Sequence, residues 1–450
     1  MIPVKKNETI SLNITDVTSK GFGVGDKEGY KIFVQGALPG ELITAKILRI
    51  NKTYGYGTLV DIQEKSENRT ESPCDAFGKC GGCQFLHVNY HEVLKYKKKF
   101  VTDALSRIGG IPNPNVADVV NADNIFHYRN KAVFPIVNSY GTISIGMYAA
   151  RSHRIIPLTK CLLQHEIHIL VLQIFLNYIS ENNLTAYDET KHNGLLRHIL
   201  IRTNGLNEAM VIIVINGNRL PNEQDLCKKM QEIGIQTLVV NKNRIKGNTI
   251  LGDPVRVLYG NGFITEKLGG TSYRISPKSF FQVNSSQAKK LYDIALRQAD
   301  IKKGEKVLDA HCGAGGILLY TAAVHPETDF IGADILPEAI VDANENAVLN
   351  GITNTKFLCG PSEELINQML TIKPDVVFLD PPRKGNEPKL LQALIEAKIK
   401  RIIYISCDEA TFARDVKILT QNGYILKEVT PVDMFPGTGK IEISACLVIE

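Results

Sequence analysis

Apolar periodicity divides the chain into stretches of different character. Over residues 1–62, short apolar segments are separated by Gly/Pro turns. Lys31-Ile32-Phe33-Val34 is strand-like, Gly36-Ala37-Leu38-Pro39-Gly40-Glu41 is a turn, and Leu42-Ile43-Thr44-Ala45-Lys46-Ile47 opens another strand. Short strands at regular spacing predict a small barrel. Glu64-Lys65-Ser66-Glu67-Asn68-Arg69-Thr70 is polar without any apolar period and reads as a linker. Between residues 125 and 260 the pattern is mixed: the run from His168 to Phe175 predicts a buried helix, and Met210-Val211-Ile212-Ile213-Val214-Ile215 a buried strand. From residue 263 onward strands alternate with helices, which predicts a parallel sheet flanked by helices.

A chain of 450 residues exceeds one ordinary core. We therefore expect a barrel over 1–62, a mixed α+β region over 63–262 and an α/β domain over 263–450, with the segment 87–121 packing against the last. No run approaches the ~20 apolar residues that cross a membrane. MIPVKKNETISL has basic residues but no apolar stretch after them, so the expected compartment is the cytoplasm. Nine cysteines without a secretory signal argue against a disulfide framework. The net charge of +5 permits a polyanionic partner without demanding one. Lys95, Lys97, Lys98 and Lys99 cluster, as do Lys398, Lys400 and Arg401. Either run reads equally well as a solvated helix face.

The strongest chemistry lies in the last third. Lys306-Val307-Leu308-Asp309 is a short strand ending in an acid. It runs into the glycine-rich turn Ala310-His311-Cys312-Gly313-Ala314-Gly315-Gly316, and a helix follows. A second strand, Phe330-Ile331-Gly332-Ala333-Asp334, also ends in an acid, which can accept hydrogen bonds from ribose hydroxyls. The spacing Gly313-x-Gly315-Gly316 is not the G-x-G-x-x-G that seats a pyrophosphate. It resembles motif I of the class I methyltransferases, whose cofactor, S-adenosylmethionine, carries no phosphate. Asp375-Val376-Val377-Phe378-Leu379 then runs into Asp380-Pro381-Pro382-Arg383, where the prolines stop the strand and stiffen the loop at the sheet's carboxyl edge. That motif resembles those of methyltransferases acting on nucleobases.

Carbon 5 of uracil is a poor nucleophile, and addition of a thiolate at carbon 6 activates it. This route needs a cysteine at a strand end and a nearby carboxylate. Arg401-Ile402-Ile403-Tyr404-Ile405-Ser406-Cys407 supplies the first, and Glu442, after Phe435-Pro436-Gly437-Thr438-Gly439-Lys440-Ile441, the second. A lone cysteine at a strand end is more often a packed small hydrophobe.

Taken together, the chain resembles the RNA 5-methyluridine methyltransferase family from end to end. Its marks are Ser279-Phe280-Phe281-Gln282-Val283-Asn284, Asp309 to Gly315, Asp380-Pro381-Pro382-Arg383-Lys384-Gly385 and Tyr404-Ile405-Ser406-Cys407. The start, with Gly21-Phe22-Gly23-Val24-Gly25 and Gly36 to Glu41, resembles the OB-like TRAM module. The resemblance implies a class I methyltransferase fold, a mostly parallel sheet flanked by helices, behind that barrel and a mixed central domain. It implies Cys407 as nucleophile and Glu442 as general base, with Gln282, His311, Gly313, Asp334 and Asp380 toward the cofactor or target base. The departures are His311 for an aromatic residue, Asp408 for Asn, and Lys440 for His.

Cys74-x5-Cys80-x2-Cys83 has metal-ligand character, with Cys161 far downstream. Four thiolates hold either zinc or an iron–sulfur cluster, and spacing alone does not choose. The resemblance implies a 4Fe–4S cluster. Tyr128, Arg129 and Lys131 mix aromatic and basic groups suited to RNA, and His153 lies in a second basic segment. The expected partner is RNA, ribosomal rather than transfer by resemblance, and the expected state a monomer. Transfer-RNA uridine methylation and methylation of another nucleobase position are the competing enzyme readings. A non-catalytic RNA-binding module is the competing reading outside catalysis.

Overall fold

The computed structural model describes residues 2–139 and 141–449, so Met1, Tyr140 and Glu450 lie outside the described residues. Strands β1 (Thr9–Val17), β2 (Phe22–Lys27), β3 (Tyr30–Gln35), β4 (Leu42–Ile50) and β5 (Tyr54–Glu64) form a closed barrel in the order β1-β2-β3-β5-β4. In β1, residues alternate in and out, with Ile10, Leu12, Ile14 and Val17 buried. Outside the barrel the rings of Phe22, Phe33, Tyr54 and Tyr56 form one contiguous group, each within 5.7 Å of a neighbour.

The cysteine-bearing segment leads into α1 (Tyr90–Arg107), capped by the Asn89 side chain on the His91 amide. Val101, Ala104 and Leu105 of this helix are buried in one cluster with Leu379, Tyr404 and Phe412 of the C-terminal sheet and its helix. The lysine-rich face of α1 is not a free basic patch. Lys95 pairs with Glu92, Lys98 with Asp118, and Lys99 with Asp16 and Asp103, whereas Lys97 is wholly buried against Asp433. In the second basic run, Lys400 and Arg401 pair with Asp375 and Glu305.

The central region is a seven-stranded sheet of order β12-β11-β10-β9-β6-β7-β8. Its elements are β6 (Lys131–Ser139), β7 (Thr142–Tyr148), β8 (Ile155–Pro157), α2 (Glu166–Glu181), β9 (Leu196–Thr203), β10 (Ala209–Ile215), α3 (Glu223–Glu232), β11 (Thr237–Lys242) and β12 (Val255–Tyr259). Val211 and Ile213 of β10 pack toward α2 and α3, while Met210 and Ile212 pack toward the C-terminal domain. Burial on both faces explains why this strand reads as an unbroken apolar run.

A hairpin of β13 (Ile264–Leu268) and β14 (Thr271–Ile275) precedes the last domain. There α4 (Ser285–Ala299), β15 (Lys306–Asp309), α5 (Gly316–Ala322), β16 (Asp329–Asp334), α6 (Pro337–Leu349), β17 (Thr355–Cys359), α7 (Ser362–Met369) and β18 (Val376–Leu379) follow in turn. They lead into α8 (Pro388–Glu396), β19 (Arg401–Ser406), α9 (Glu409–Gln421), β20 (Tyr424–Val432) and β21 (Glu442–Ile449). The sheet order is β17-β16-β15-β18-β19-β21-β20, with β17 to β19 parallel and β21 antiparallel to both its neighbours. This is the doubly wound class I methyltransferase architecture, and its order reverses between β15 and β18, where ligands of such sheets bind. No helix among the described residues is long and apolar enough to cross a membrane.

Candidate active site and nucleic-acid interface

Asp309, Asp334, Asp380 and Cys407 all lie at or just past the carboxyl ends of adjacent parallel strands. The chain turns sharply after each strand, so these side chains project from one edge of the sheet.

On the β15–β16 side, the geometry fits S-adenosylmethionine. Asp334 accepts from the Gly313 amide at 3.1 Å through Oδ2 and from the Leu336 amide at 2.8 Å through Oδ1. Each oxygen keeps a further lone pair for a ribose hydroxyl. Gly313 has φ of +53°, and a Cβ there would meet nothing within 4 Å, so the backbone borders open space. Ile335 and Leu336, both largely exposed beside Asp334, offer an apolar surface to an adenine ring. Asp309 accepts from the His311 amide through Oδ1, but its buried Oδ2 has no partner. Burial, reinforced by Asp380 and Asp334, raises its carboxyl to about 8. His311 Nδ1 is also buried and unpartnered, and burial lowers the ring to about 4, so the imidazole is neutral. A neutral planar ring takes the place of the family's aromatic residue. Gln282 is buried in the segment before α4, and its carbonyl accepts from the Asn130 side chain at 3.0 Å.

On the β18–β19 side, Cys407 shares one electrostatic neighbourhood with the carboxyls of Glu442 and Asp380 and the cations Arg383 and Lys440. Burial, then Glu442 and Asp380, push its thiol up to about 11, opposed by the Arg383 guanidinium hydrogen-bonded to it. Glu442, buried at the start of β21, is driven well above the usual carboxylate range by burial and by Asp380, against Arg383 and Lys440. Burial raises Asp380 to about 7. Arg383 therefore acts on both Cys407 and Glu442. Its loop is held by Asp415, which accepts from the Asn386 amide at 2.8 Å and the Tyr404 hydroxyl at 2.7 Å. Asp408, which replaces the family's Asn, caps α9 by accepting from the Ala410 and Thr411 amides. Lys440 interacts electrostatically with Cys407 and Glu442, its pKa lowered by burial, Arg383 and Arg129. In the sequence Arg383 is only part of a motif and Lys440 only a departure; charge complementarity across the pocket becomes visible with the fold.

The loop before Glu442 is fixed from several elements at once. Lys97 donates to Asp433 and to the Phe435 carbonyl, Tyr90 donates to Asp433, and the Gln84 and Phe85 amides both donate to the Gly437 carbonyl. Gly439 lies so close to the barrel that a Cβ there would come within 1.8 Å of the Ser19 carbonyl oxygen. Cys407, Arg383 and Lys440 line a cleft of about 870 Å³ whose other wall is the barrel, the cysteine segment and the β7–β8 hairpin, including Lys20, Gln84 and Arg151.

Other expected contacts fall differently. Tyr128 is 7% exposed, and its hydroxyl donates to the Pro436 carbonyl at 3.0 Å. It braces the Glu442 loop and has no face free to stack on a base. Lys131 is lowered to about 7 by burial, Arg202 and Arg129, so it is a weak phosphate ligand as placed. Arg129 is half-buried and acts on Cys83, Cys161 and Lys440. His153 is exposed, with Nδ1 3.5 Å from Glu189. Cys74, Cys80, Cys83 and Cys161 are unbridged and share one electrostatic neighbourhood. Among the described residues, however, no group of three or more His, Cys, Asp or Glu is arranged to hold a metal ion.

Comparison with known proteins agrees with this geometry. The family model described as tRNA (Uracil-5-)-methyltransferase matches residues 89–449, and the TRAM domain model matches 3–60. A Clostridium tetani protein named as an RNA methyltransferase is 42% identical over 446 residues, covering 98% of this chain and 96% of its own. One from Halalkalibacterium halodurans, with the same kind of name, is 39% identical over 453 residues, 100% of this chain and 98% of its own. The solved structure of the tRNA (uracil-54, C5)-methyltransferase of Pyrococcus abyssi with S-adenosyl-L-homocysteine superposes with a TM-score of 0.79. It is 29% identical and covers 97% of this chain and 99% of that one. The chain belongs to the tRNA (uracil-5-)-methyltransferase family and is an RNA methyltransferase.

Proposed function

We propose that this enzyme transfers a methyl group from S-adenosylmethionine to carbon 5 of a uridine in RNA through a covalent bond to Cys407. The observation that carries this reading is the electrostatic neighbourhood that Cys407 shares with Glu442, Asp380 and Arg383, at the same sheet edge as the Asp309–Gly313 turn. S-adenosylmethionine supplies an electrophilic methyl group. The Cys407 thiolate, favoured by Arg383, adds to carbon 6 of the uracil and leaves carbon 5 with enolate character. Carbon 5 takes the methyl group as S-adenosylhomocysteine departs. Glu442 then removes the carbon-5 proton, and the carbon 6–sulfur bond breaks to return the thiolate.

The reading is tested with RNA containing 5-fluorouridine. Fluorine at carbon 5 cannot leave as a proton does, so a stable protein–RNA adduct forms with the native enzyme and none with Cys407→Ala. An equal adduct with both removes Cys407 as the nucleophile.

The target RNA is the finer question. A TRAM-like start does not separate the ribosomal from the transfer-RNA branch, because the Pyrococcus tRNA enzyme matches this chain over almost its whole length. We keep ribosomal RNA as the first substrate to examine. Mapping 5-methyluridine in both RNA classes from a strain lacking the gene decides it.

We further propose that the four thiols hold a 4Fe–4S cluster. They are unbridged and act electrostatically on one another, and four thiolates can hold either an iron–sulfur cluster or zinc. Iron after anaerobic purification supports the cluster; zinc without iron overturns it.

A further inference from the structure

The catalytic cleft continues away from Cys407. Through Gly81, Ala150 and Arg151 it runs into a second cavity of about 630 Å³, which shares Pro135, Tyr148, His153, Glu189 and His198 with a third of about 300 Å³. The junction is a built one. The Gly81 amide donates to the Tyr148 carbonyl at 3.0 Å, and Cys80 bridges Ala149 in antiparallel fashion, so the cysteine turn and the β7–β8 hairpin form one wall. Arg151 stands at this junction, its guanidinium 4.6 Å from the Phe22 ring of the barrel.

The far cavity has the chemistry of a nucleobase site. Tyr148 is 37% exposed, and its ring lies 5.6 Å from that of His153. Opposite, the buried Arg197 guanidinium stacks 4.5 Å from the Tyr187 ring and is pinned by the Asn243 and Ile245 carbonyls. His198 lines both cavities, and its buried Nδ1 has no hydrogen-bond partner. Burial and Arg197 lower this imidazole to about 4, so it is neutral and offers one donor and one acceptor. Glu189 adds an acceptor for exocyclic amines. Two aromatic faces, a rigid cation, a neutral imidazole and a carboxylate around a cavity of nucleotide size fit an unstacked base read on its edge.

Resting on the proposed RNA activity, we infer that a second nucleotide of the same RNA strand, unstacked from its neighbours, seats between Tyr148 and His198 while the target uridine lies at Cys407. The strand passes the cysteine turn and Arg151 on the way. This site fixes which uridine is presented by anchoring the strand on its far side.

The test is binding of a fluorescein-labelled single-stranded uridine 12-mer to the native enzyme, Tyr148→Ala and Tyr148→Phe, with 4-thiouridine cross-linking to map the contacts. Base–aromatic stacking contributes about 1–3 kcal/mol. Tyr148→Ala is therefore expected to weaken binding about tenfold, Tyr148→Phe to stay within about twofold, and S-adenosylhomocysteine affinity to remain unchanged. Cross-links should fall on the 147–153 or 186–198 peptides. Unchanged affinity in Tyr148→Ala, cross-links confined elsewhere, or a free uridine 5′-monophosphate binding as tightly as the strand overturns the site. The activity is read separately. If 5-methyluridine forms but Tyr148→Ala binds as the native enzyme does, the site falls and the activity stands. If the strand binds here with no methyl transfer to carbon 5, the reverse holds.

Discussion

Lys97 of α1 and Asp433, just before the loop that carries Glu442, form an ion pair wholly removed from solvent, with Nζ 2.5 Å from Oδ1. Tyr90 closes the other carboxylate oxygen at 2.8 Å. The pair ties a helix from the first quarter of the chain to the loop of the proposed base. Lys97→Met leaves Asp433 buried and without its cation, which typically costs about 3–5 kcal/mol. We expect that loss in urea denaturation, together with a lower kcat at saturating RNA. Native stability in this variant would show that the pair is replaceable by packing alone.

Glu442→Gln keeps the shape of the site but removes the proposed base for the carbon-5 proton. The expected result is methyl transfer followed by arrest, with a protein–RNA adduct accumulating as a slower band on a denaturing gel. Full turnover without that band would assign the base role to Asp380.

Arg383 opposes the upward displacement of both Cys407 and Glu442, and the proposed mechanism needs both ionised. Arg383→Gln raises both further, so less of each is ionised at neutral pH. The rising limb of the pH–rate profile should move to higher pH, and the rate at pH 7 should fall about tenfold or more. The two profiles should converge under alkaline conditions. A uniform loss at every pH would mean that Arg383 only positions the substrate.

The Asp309 carboxyl, raised to about 8, binds its proton more tightly in the folded chain than in the unfolded one, where its ordinary value is 3.8. Its contribution to stability is present in acid and is lost as pH rises through the folded value. Asp309→Asn retains an oxygen for the His311 amide and removes this dependence. The gain in Tm over the native enzyme should be larger at pH 8.5 than at pH 5. Affinity for S-adenosylhomocysteine should fall about tenfold, as for one hydrogen bond lost in a buried site. A gain in Tm with unchanged cofactor affinity would separate Asp309 from binding.

Cys80 sits on the turn whose neighbours hold both the β7–β8 hairpin and the Gly437 carbonyl. If the four thiols bind a cluster, that binding is largely folding free energy. Cys80→Ser should lower stability and RNA affinity while leaving S-adenosylhomocysteine affinity near native. Isothermal titration with each ligand measures this. Unchanged RNA binding in a folded, cluster-free protein would end the bracing role.

Much of the scaffold is readable from periodicity. The apolar strands ending in Asp309, Asp334 and Asp380 can only face ligand at a sheet edge, and Met210 to Ile215 can only be buried on both faces. Residue type misleads where burial depends on distant chain. Tyr128 reads as a stacking residue but is packed under Pro436, more than three hundred positions away. Lys97 reads as one of four surface lysines because its partner, Asp433, lies as far off. Arg383 and Lys440 carry no pattern of their own; their significance is mutual distance, which a linear sequence does not contain.

The placement of β21 has a consequence for how the protein is made. This strand enters between β19 and β20, both synthesised before it, and it brings Glu442 to a Cys407 already in place. Gly439 must at the same moment settle against Ser19, a residue made long before it. During synthesis the site therefore stays a half-site, the proposed nucleophile without its proposed base, until these two distant segments meet. Competence then depends on a single late event, and a product terminated before residue 442 keeps Asp309, Asp334 and Asp380 yet lacks the carboxylate proposed to take the carbon-5 proton.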